Sequence, residues 1–214
     1  MITLIDYKAG NLTSVRKALT HLGQETVITE DPAQVREAEA LVLPGVGHFV
    51  TTKRLADSGV RDAVLEAIAR GVPFLGICVG MQWQFAGSTE SPETPGLALF
   101  EGPCERFQTT LKVPHVGWNQ IGRTPEGERS RLLRGVPSDS FVYFTHSYRA
   151  PVVEGVSAVT TYGETFAAAV ERDNIFGVQF HPEKSGDTGL RILRNFCDIA
   201  AERTAQKAAG RSAR

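Results

Sequence analysis

The first half of the chain alternates short apolar runs with stretches whose apolar residues recur at helical spacing. Residues 2–6 predict a strand, and 11–22 a helix with Leu12, Val15, Leu19 and Leu22 along one face. Residues 25–29 predict a second strand, and Asp31-Pro32 is a helix-start signal. Leu41-Val42-Leu43 predicts a short buried strand running into Pro44-Gly45-Val46-Gly47. Residues 58–70 predict a helix with Val60, Val64, Leu65 and Ile68 on one side, closed by Gly71, and 72–77 a further strand. This rhythm predicts an α/β fold: a mostly parallel central sheet with helices on both faces.

The second half is richer in strands and turns, with candidate strands at 104–107, 116–122, 141–146, 157–162, 166–171 and 175–180. Residues 188–203 predict a closing amphipathic helix. Residues 205–214 are small, polar and basic and predict a frayed, disordered tail, so one domain is expected over 1–204. Residues 87–96 carry two prolines and two glycines and read as a surface loop.

Bulk properties narrow the function without naming it. A chain of 214 residues, 42 % hydrophobic and 22 % charged, is an ordinary globular domain, and a net charge of −1 leaves no nucleic-acid footprint. Cys78, Cys104 and Cys197 are odd in number and contain no Cys-x-x-Cys pair, which argues against a disulfide framework or a metal site and for a reducing compartment. No basic segment followed by an apolar stretch opens the chain, and no apolar run reaches the roughly 18 residues a membrane span needs. The expectation is a cytoplasmic protein with no membrane or nucleic-acid partner.

The chemistry concentrates in two places. Phe74-Leu75-Gly76-Ile77-Cys78-Val79-Gly80-Met81-Gln82 has the layout of a nucleophile elbow: a strand, a sharp Gly-x-Cys-x-Gly turn and a helix, with sulfur in place of a serine oxygen. Partial charge at the helix start would favour the reactive thiolate. A lone cysteine after a core strand is more often structural, so the second place matters. In Phe176-Gly177-Val178-Gln179-Phe180-His181-Pro182-Glu183 a strand ends at a histidine that Pro182 holds extended. Residues two apart in an extended segment share a side, so Glu183 can orient His181. Cys78, His181 and Glu183 then read as nucleophile, base and orienter. The backbone N–H of Val79 offers one oxyanion donor, and the loop carrying Gly45 and Gly47 offers the other. Elbow, loop and histidine all fall at strand C-termini, where open α/β sheets bind ligands. His21, His48, His115 and His146 lack an acidic residue two positions on and read as structural or interfacial.

Together these motifs resemble the class I (triad) glutamine amidotransferases, a flavodoxin-like fold, from Ile5 to about Ser185. Leu75 to Gln82 and Gln179 to Ser185 mark the class. Asp6-Tyr-Lys-Ala-Gly-Asn11, Pro44-Gly-Val-Gly-His-Phe49, Pro114-His-Val-Gly-Trp-Asn119 and Tyr143-Phe-Thr-His-Ser-Tyr148 are similar to the glutaminase subunits of imidazole glycerol phosphate synthase. Val46 is the discriminator, since related glutaminases carry Pro-Gly-Gly at this loop. Val79, where leucine is usual, and Trp83-Gln84, where an apolar pair is usual, depart from the pattern without removing a triad group. The resemblance implies glutamine hydrolysis through a thioester on Cys78, with no cofactor. It implies an oxyanion hole from Val79, Gly45 and Val46, and substrate contacts from Gly47, Gln82, Glu90, Ser147 and Tyr148. It also implies a heterodimer with a (β/α)₈-barrel cyclase subunit that receives the ammonia, faced by Asn11, Trp118, Gln120 and Lys184. The Val46 loop is implied as the switch that keeps the glutaminase low until the barrel binds its ligand. A triad glutaminase of pyridoxal phosphate or anthranilate synthesis, or an inactive scaffold, is the alternative.

Overall fold

The computed structural model describes residues 1–212, with side chains to 209. The first half lays down β1 (Ile2–Ile5), α1 (Leu12–His21), β2 (Thr26–Thr29), α2 (Pro32–Glu37), β3 (Leu41–Gly45), α3 (Lys53–Asp57), α4 (Val60–Ala69), β4 (Phe74–Cys78) and α5 (Val79–Gln82). The second half adds β5 (Glu105–Arg106), β6 (His115–Arg123), β7 (Ser140–His146), β8 (Tyr148–Arg149), β9 (Val156–Tyr162), β10 (Glu164–Arg172), β11 (Ile175–Val178) and α6 (Gly186–Ser212).

Among the described residues the main sheet has nine strands in the order β2-β1-β3-β4-β11-β10-β9-β6-β7. β2, β1, β3, β4 and β11 pair in parallel, whereas β11 through β7 pair antiparallel. The sheet is therefore evenly mixed rather than mostly parallel. β1, β3, β4 and β11 are buried along their whole length, as continuous apolar runs covered on both faces require. β6 and β7 alternate, one face in the core and one toward solvent.

Three local expectations change. The helix expected over 58–70 is α4, shortened at its start because Gly59, at φ +79°, separates it from α3. Residues 87–96 are tied down rather than loose, because Cys104 N–H donates to Gly87 O at 2.8 Å, Gly96 N–H to Ala86 O at 3.0 Å, and Ser88, Ser91 and Thr94 are buried. α6 runs on to Ser212, through most of the segment expected as a tail, because its Ala, Arg, Gln and Lys residues are good helix formers. Residues 213–214 of that expected tail lie outside the described residues. Among the described residues no helix is long and apolar enough to cross a membrane.

Candidate active site

β3, β4 and β11 lie side by side at the centre of the sheet, so their C-terminal ends meet at one rim. Cys78 closes β4 with φ +54° and ψ −110°, a conformation that costs a residue with a side chain about 1–3 kcal/mol. The turn is possible because its neighbours lack side chains: a Cβ on Gly80 would stand 2.0 Å from Leu43 O, and one on Gly76 2.4 Å from Gly80 O. Gly45 pairs with Cys78 across β3 and β4, and a Cβ there would stand 2.7 Å from Gly80 N. The elbow is as expected, but α5 is a single turn, so the helix-end charge expected at the sulfur is that of one turn only.

His181 and Glu183 meet, though by a different local geometry. His181 is extended, at φ −98° and ψ 97°, while Glu183 sits in a 3-10 turn over Pro182–Lys184. His181 Nδ1 lies 2.9 Å from Glu183 Oε1, with both side chains shut off from solvent. Among the described residues His181 Nε2 has no nitrogen or oxygen partner and is the atom left for the sulfur. Burial alone pushes this imidazole down; its interactions with Cys78 and Glu183 outweigh that and raise it to about 10. The pair therefore holds a proton where a leaving group would collect it.

A cavity of about 260 Å³ opens over Cys78. Val46, Gly47, Val79, Gln82, Glu90, Ser147 and Tyr148 line it, joined by Pro114, Thr145 and His146. Gly45 lies just beneath, buried against Tyr7, Val79 and Gly80. The Glu90 carboxylate accepts the backbone N–H of Phe49 at 2.7 Å, which fastens the 87–96 segment to the chain just after the Val46 loop. Gln82 is 2 % exposed, and its amide nitrogen donates to Tyr148 O at 2.8 Å and to Gln179 Oε1 at 3.0 Å.

The residues expected at a partner face fall in two groups. Trp118 and Gln120 stand on the solvent face of β6, opposite Tyr143 and Phe141 of β7, and the Lys184 ammonium lies 5.7 Å from the Tyr143 ring centre. Val116, Trp118 and Phe141 are 56 %, 55 % and 54 % exposed, an apolar stripe on one face of a hairpin. Asn11 is on another element, at the start of α1, where its carbonyl accepts Val15 N–H at 3.2 Å.

Sequence reasoning missed Gln179, which is fully buried and donates to Cys78 Sγ at 3.6 Å. A lone polar residue inside the run Phe176 to Phe180 was the available signal. It also missed Tyr7, whose buried hydroxyl lies against Gly45 and whose proton is held tightly by burial and then by the charge of Cys78. Three of the rival histidines are engaged in contacts of their own. His48 Nδ1 caps Val50 N–H at 3.1 Å. His115 and His146 face each other at 3.3 Å inside an aromatic cluster with Phe107, Phe144, Tyr162 and Phe166. Burial lowers them to about 4 and about 3.

These opposed shifts predict a stability maximum near neutral pH. The unfolded chain binds protons that His115 and His146 refuse, so stability is lost as pH falls below about 6.5 toward 4 and 3. His181 holds its proton more tightly folded than unfolded, so its contribution is full below about 6.5 and is lost as pH rises through about 10. Thermal melts across pH should show both limbs, and His181→Gln should flatten only the alkaline one.

The comparisons with known proteins agree with this geometry. Residues 3–200 match the family described as glutamine amidotransferase class-I. The chain is 44 % identical over 201 residues to the imidazole glycerol phosphate synthase subunit HisH of Moorella thermoacetica, covering 92 % of this chain and 94 % of that one. It is 46 % identical over 200 residues to the subunit of the same name from Methanothermobacter thermautotrophicus, covering 93 % and 98 %. A crystal structure of a glutamine amidotransferase superposes with a TM-score of 0.74 at 22 % identity, over 94 % of this chain and 100 % of that one, a likeness of fold.

Proposed function

Because this chain belongs to the class-I glutamine amidotransferases, and among them to the HisH subunits of imidazole glycerol phosphate synthase, we propose that Cys78, His181 and Glu183 are its catalytic triad. The protein is a glutaminase that releases ammonia from glutamine for histidine biosynthesis. On our reading the Cys78 sulfur attacks the side-chain amide carbon, and the oxygen gains charge toward the N–H groups of Val79 and of the Gly45–Val46 loop. His181 gives its proton to the departing ammonia, leaving a glutamyl thioester. The same imidazole then takes a proton from water, whose oxygen displaces the sulfur and frees glutamate. Glu183 keeps Nε2 aimed at the sulfur. Glu90 binds the substrate α-amino group, while Gly47, Gln82 and the backbone of Ser147 and Tyr148 hold the rest.

The observation that supports this most is the single cavity in which Cys78, Val46, Val79, Gln82 and Glu90 meet. Identities of 44–46 % to HisH subunits weigh against a glutaminase of another pathway.

Ammonia is a nucleophile only while unprotonated, so it needs a sheltered route to its acceptor. On this reading the partner is the (β/α)₈-barrel cyclase subunit, in a cytoplasmic heterodimer. There the ammonia completes imidazole glycerol phosphate and releases aminoimidazole carboxamide ribotide. The catalytic unit is taken as one domain over 1–204. The exposed stripe of Val116, Trp118 and Phe141, flanked by Gln120 and Lys184, supports a docking face there, with Asn11 at its edge. Trp118→Ala should weaken the complex by about 2 kcal/mol, roughly thirtyfold in Kd, with little change in the isolated subunit's melting temperature. Titration calorimetry against the cyclase reads the first and a thermal melt the second.

The deciding experiment measures glutamate release by the chain alone, with the cyclase, and with the cyclase plus its ribotide ligand. Strong turnover only in the last mixture supports a partner-gated ammonia donor. Equal turnover in all three removes the gating, and none at all brings forward the inactive scaffold.

A further inference from the structure

The two buried glutamines beside the nucleophile form a directional chain. Tyr148 O is a backbone carbonyl and can only accept, so the group of Gln82 that lies 2.8 Å from it must be the amide nitrogen. The second hydrogen of that nitrogen points to Gln179 at 3.0 Å, which obliges Gln179 to present its oxygen there. The Gln179 nitrogen is thereby turned to Cys78 Sγ, 3.6 Å away. A main-chain carbonyl, two bonds removed, thus decides that the sulfur meets a donor rather than a lone pair. His146 Nδ1, 2.9 Å from the same carbonyl, holds it from the other side. The opposing contact is Thr145 O, at 4.0 Å from the sulfur, an acceptor that suits a thiol hydrogen and repels a thiolate.

We propose that Gln179 is a positioning residue for the nucleophile: its amide N–H holds the Cys78 sulfur in the attacking orientation, and Gln82 holds Gln179. This rests on the reading of Cys78 as the nucleophile. Gln82 then serves the chemistry from behind the cavity wall as well as lining it. An N–H donor steadies a negative sulfur more than a neutral one, so the contact acts before attack, holding the sulfur in place, and weakens as charge passes to the carbonyl oxygen.

The test is alkylation of Cys78 by iodoacetamide at one fixed pH, followed by mass spectrometry of its peptide in the full chain. It needs neither glutamine nor the partner. Gln179→Met removes donor and acceptor at similar length, and its Cys78 rate should fall about tenfold. Gln179→Glu keeps the acceptor for Gln82 but sets a carboxylate against the sulfur, and should fall further. Gln82→Met leaves the donor in place but unanchored, and should fall severalfold. Cys104, fully buried, and Cys197, whose thiol burial pushes up to about 11, should stay protected throughout. In glutamate release with the cyclase and its ligand, kcat should fall with little change in KM for Gln179→Met.

Cys78 rates within twofold of the parent in the folded Gln179 variants overturn the proposal. So does an equal fall in both accompanied by exposure of Cys104 and Cys197, which marks loosened packing. Should the Gln179 variants fail to fold, an unchanged rate in Gln82→Met overturns it. A parent chain that alkylates readily yet releases no glutamate in any mixture sinks the proposed function instead, and the alkylation ratios still decide the role of Gln179.

Discussion

Cys78→Ala is expected to abolish glutamate release, by on the order of 10⁴-fold or more, with the cyclase and its ligand present. On the proposed reading the sulfur, at the cavity floor beside His181, is the atom that attacks the amide carbon. Alanine keeps the strained backbone of the elbow and the close fit of Gly45, so the variant should fold and still bind the cyclase. Binding retained with turnover lost separates a chemical role from a structural one. Cys197→Ala serves as a control, since that thiol belongs to α6 and is absent from the cavity lining. Appreciable turnover by the Cys78 variant would place the nucleophile elsewhere.

Gly80→Ala should do its damage before any chemistry begins, costing about 4 kcal/mol or more in a denaturation midpoint experiment. The added carbon would lie 2.0 Å from Leu43 O, a backbone atom inside the sheet that no side-chain rotation can move. Relief requires β3 to part from α5, which loosens the loop that carries Gly45 and Val46. Gly122→Ala is the matched comparison. Its nearest neighbours stand at 4.0 Å, and its cost should stay within about 1 kcal/mol. Equal losses at the two sites would mean that the elbow has more room than the geometry allows.

Much of this was legible in the residues, for reasons that are local. Continuous apolar runs gave β1, β3 and β4 because a strand buried on both faces has no polar alternation to show. Gly-x-Cys-x-Gly announced a turn too tight for side chains, and the contacts of Gly76 and Gly80 bear that out. What stayed hidden is non-local. The insertion of β11 between β4 and β10 is a choice of pairing that periodicity cannot record, and it makes the sheet half antiparallel. The pairing of His181 with Glu183 was anticipated on extended geometry but is achieved through a 3-10 turn. Gln179 was passed over because its meaning depends on an amide orientation set by Tyr148 and Gln82, residues far away in sequence. The fastening of 87–96 through Glu90 likewise needs Phe49 in place before it exists.

β4 carries Cys78 and β11 leads directly to His181, and the two strands are bonded neighbours from Phe74↔Ile175 to Ile77↔Val178. A pair of strands in the interior of a sheet has no edge to peel from, so it separates only when the whole sheet does. Heat or denaturant therefore has no mild route to disarming this enzyme by parting sulfur from imidazole, and partial damage must strike elsewhere. The Val46 loop and the Glu90 segment, joined by the Phe49–Glu90 hydrogen bond at the rim, are where turnover can fade while Cys78, His181 and Glu183 still meet.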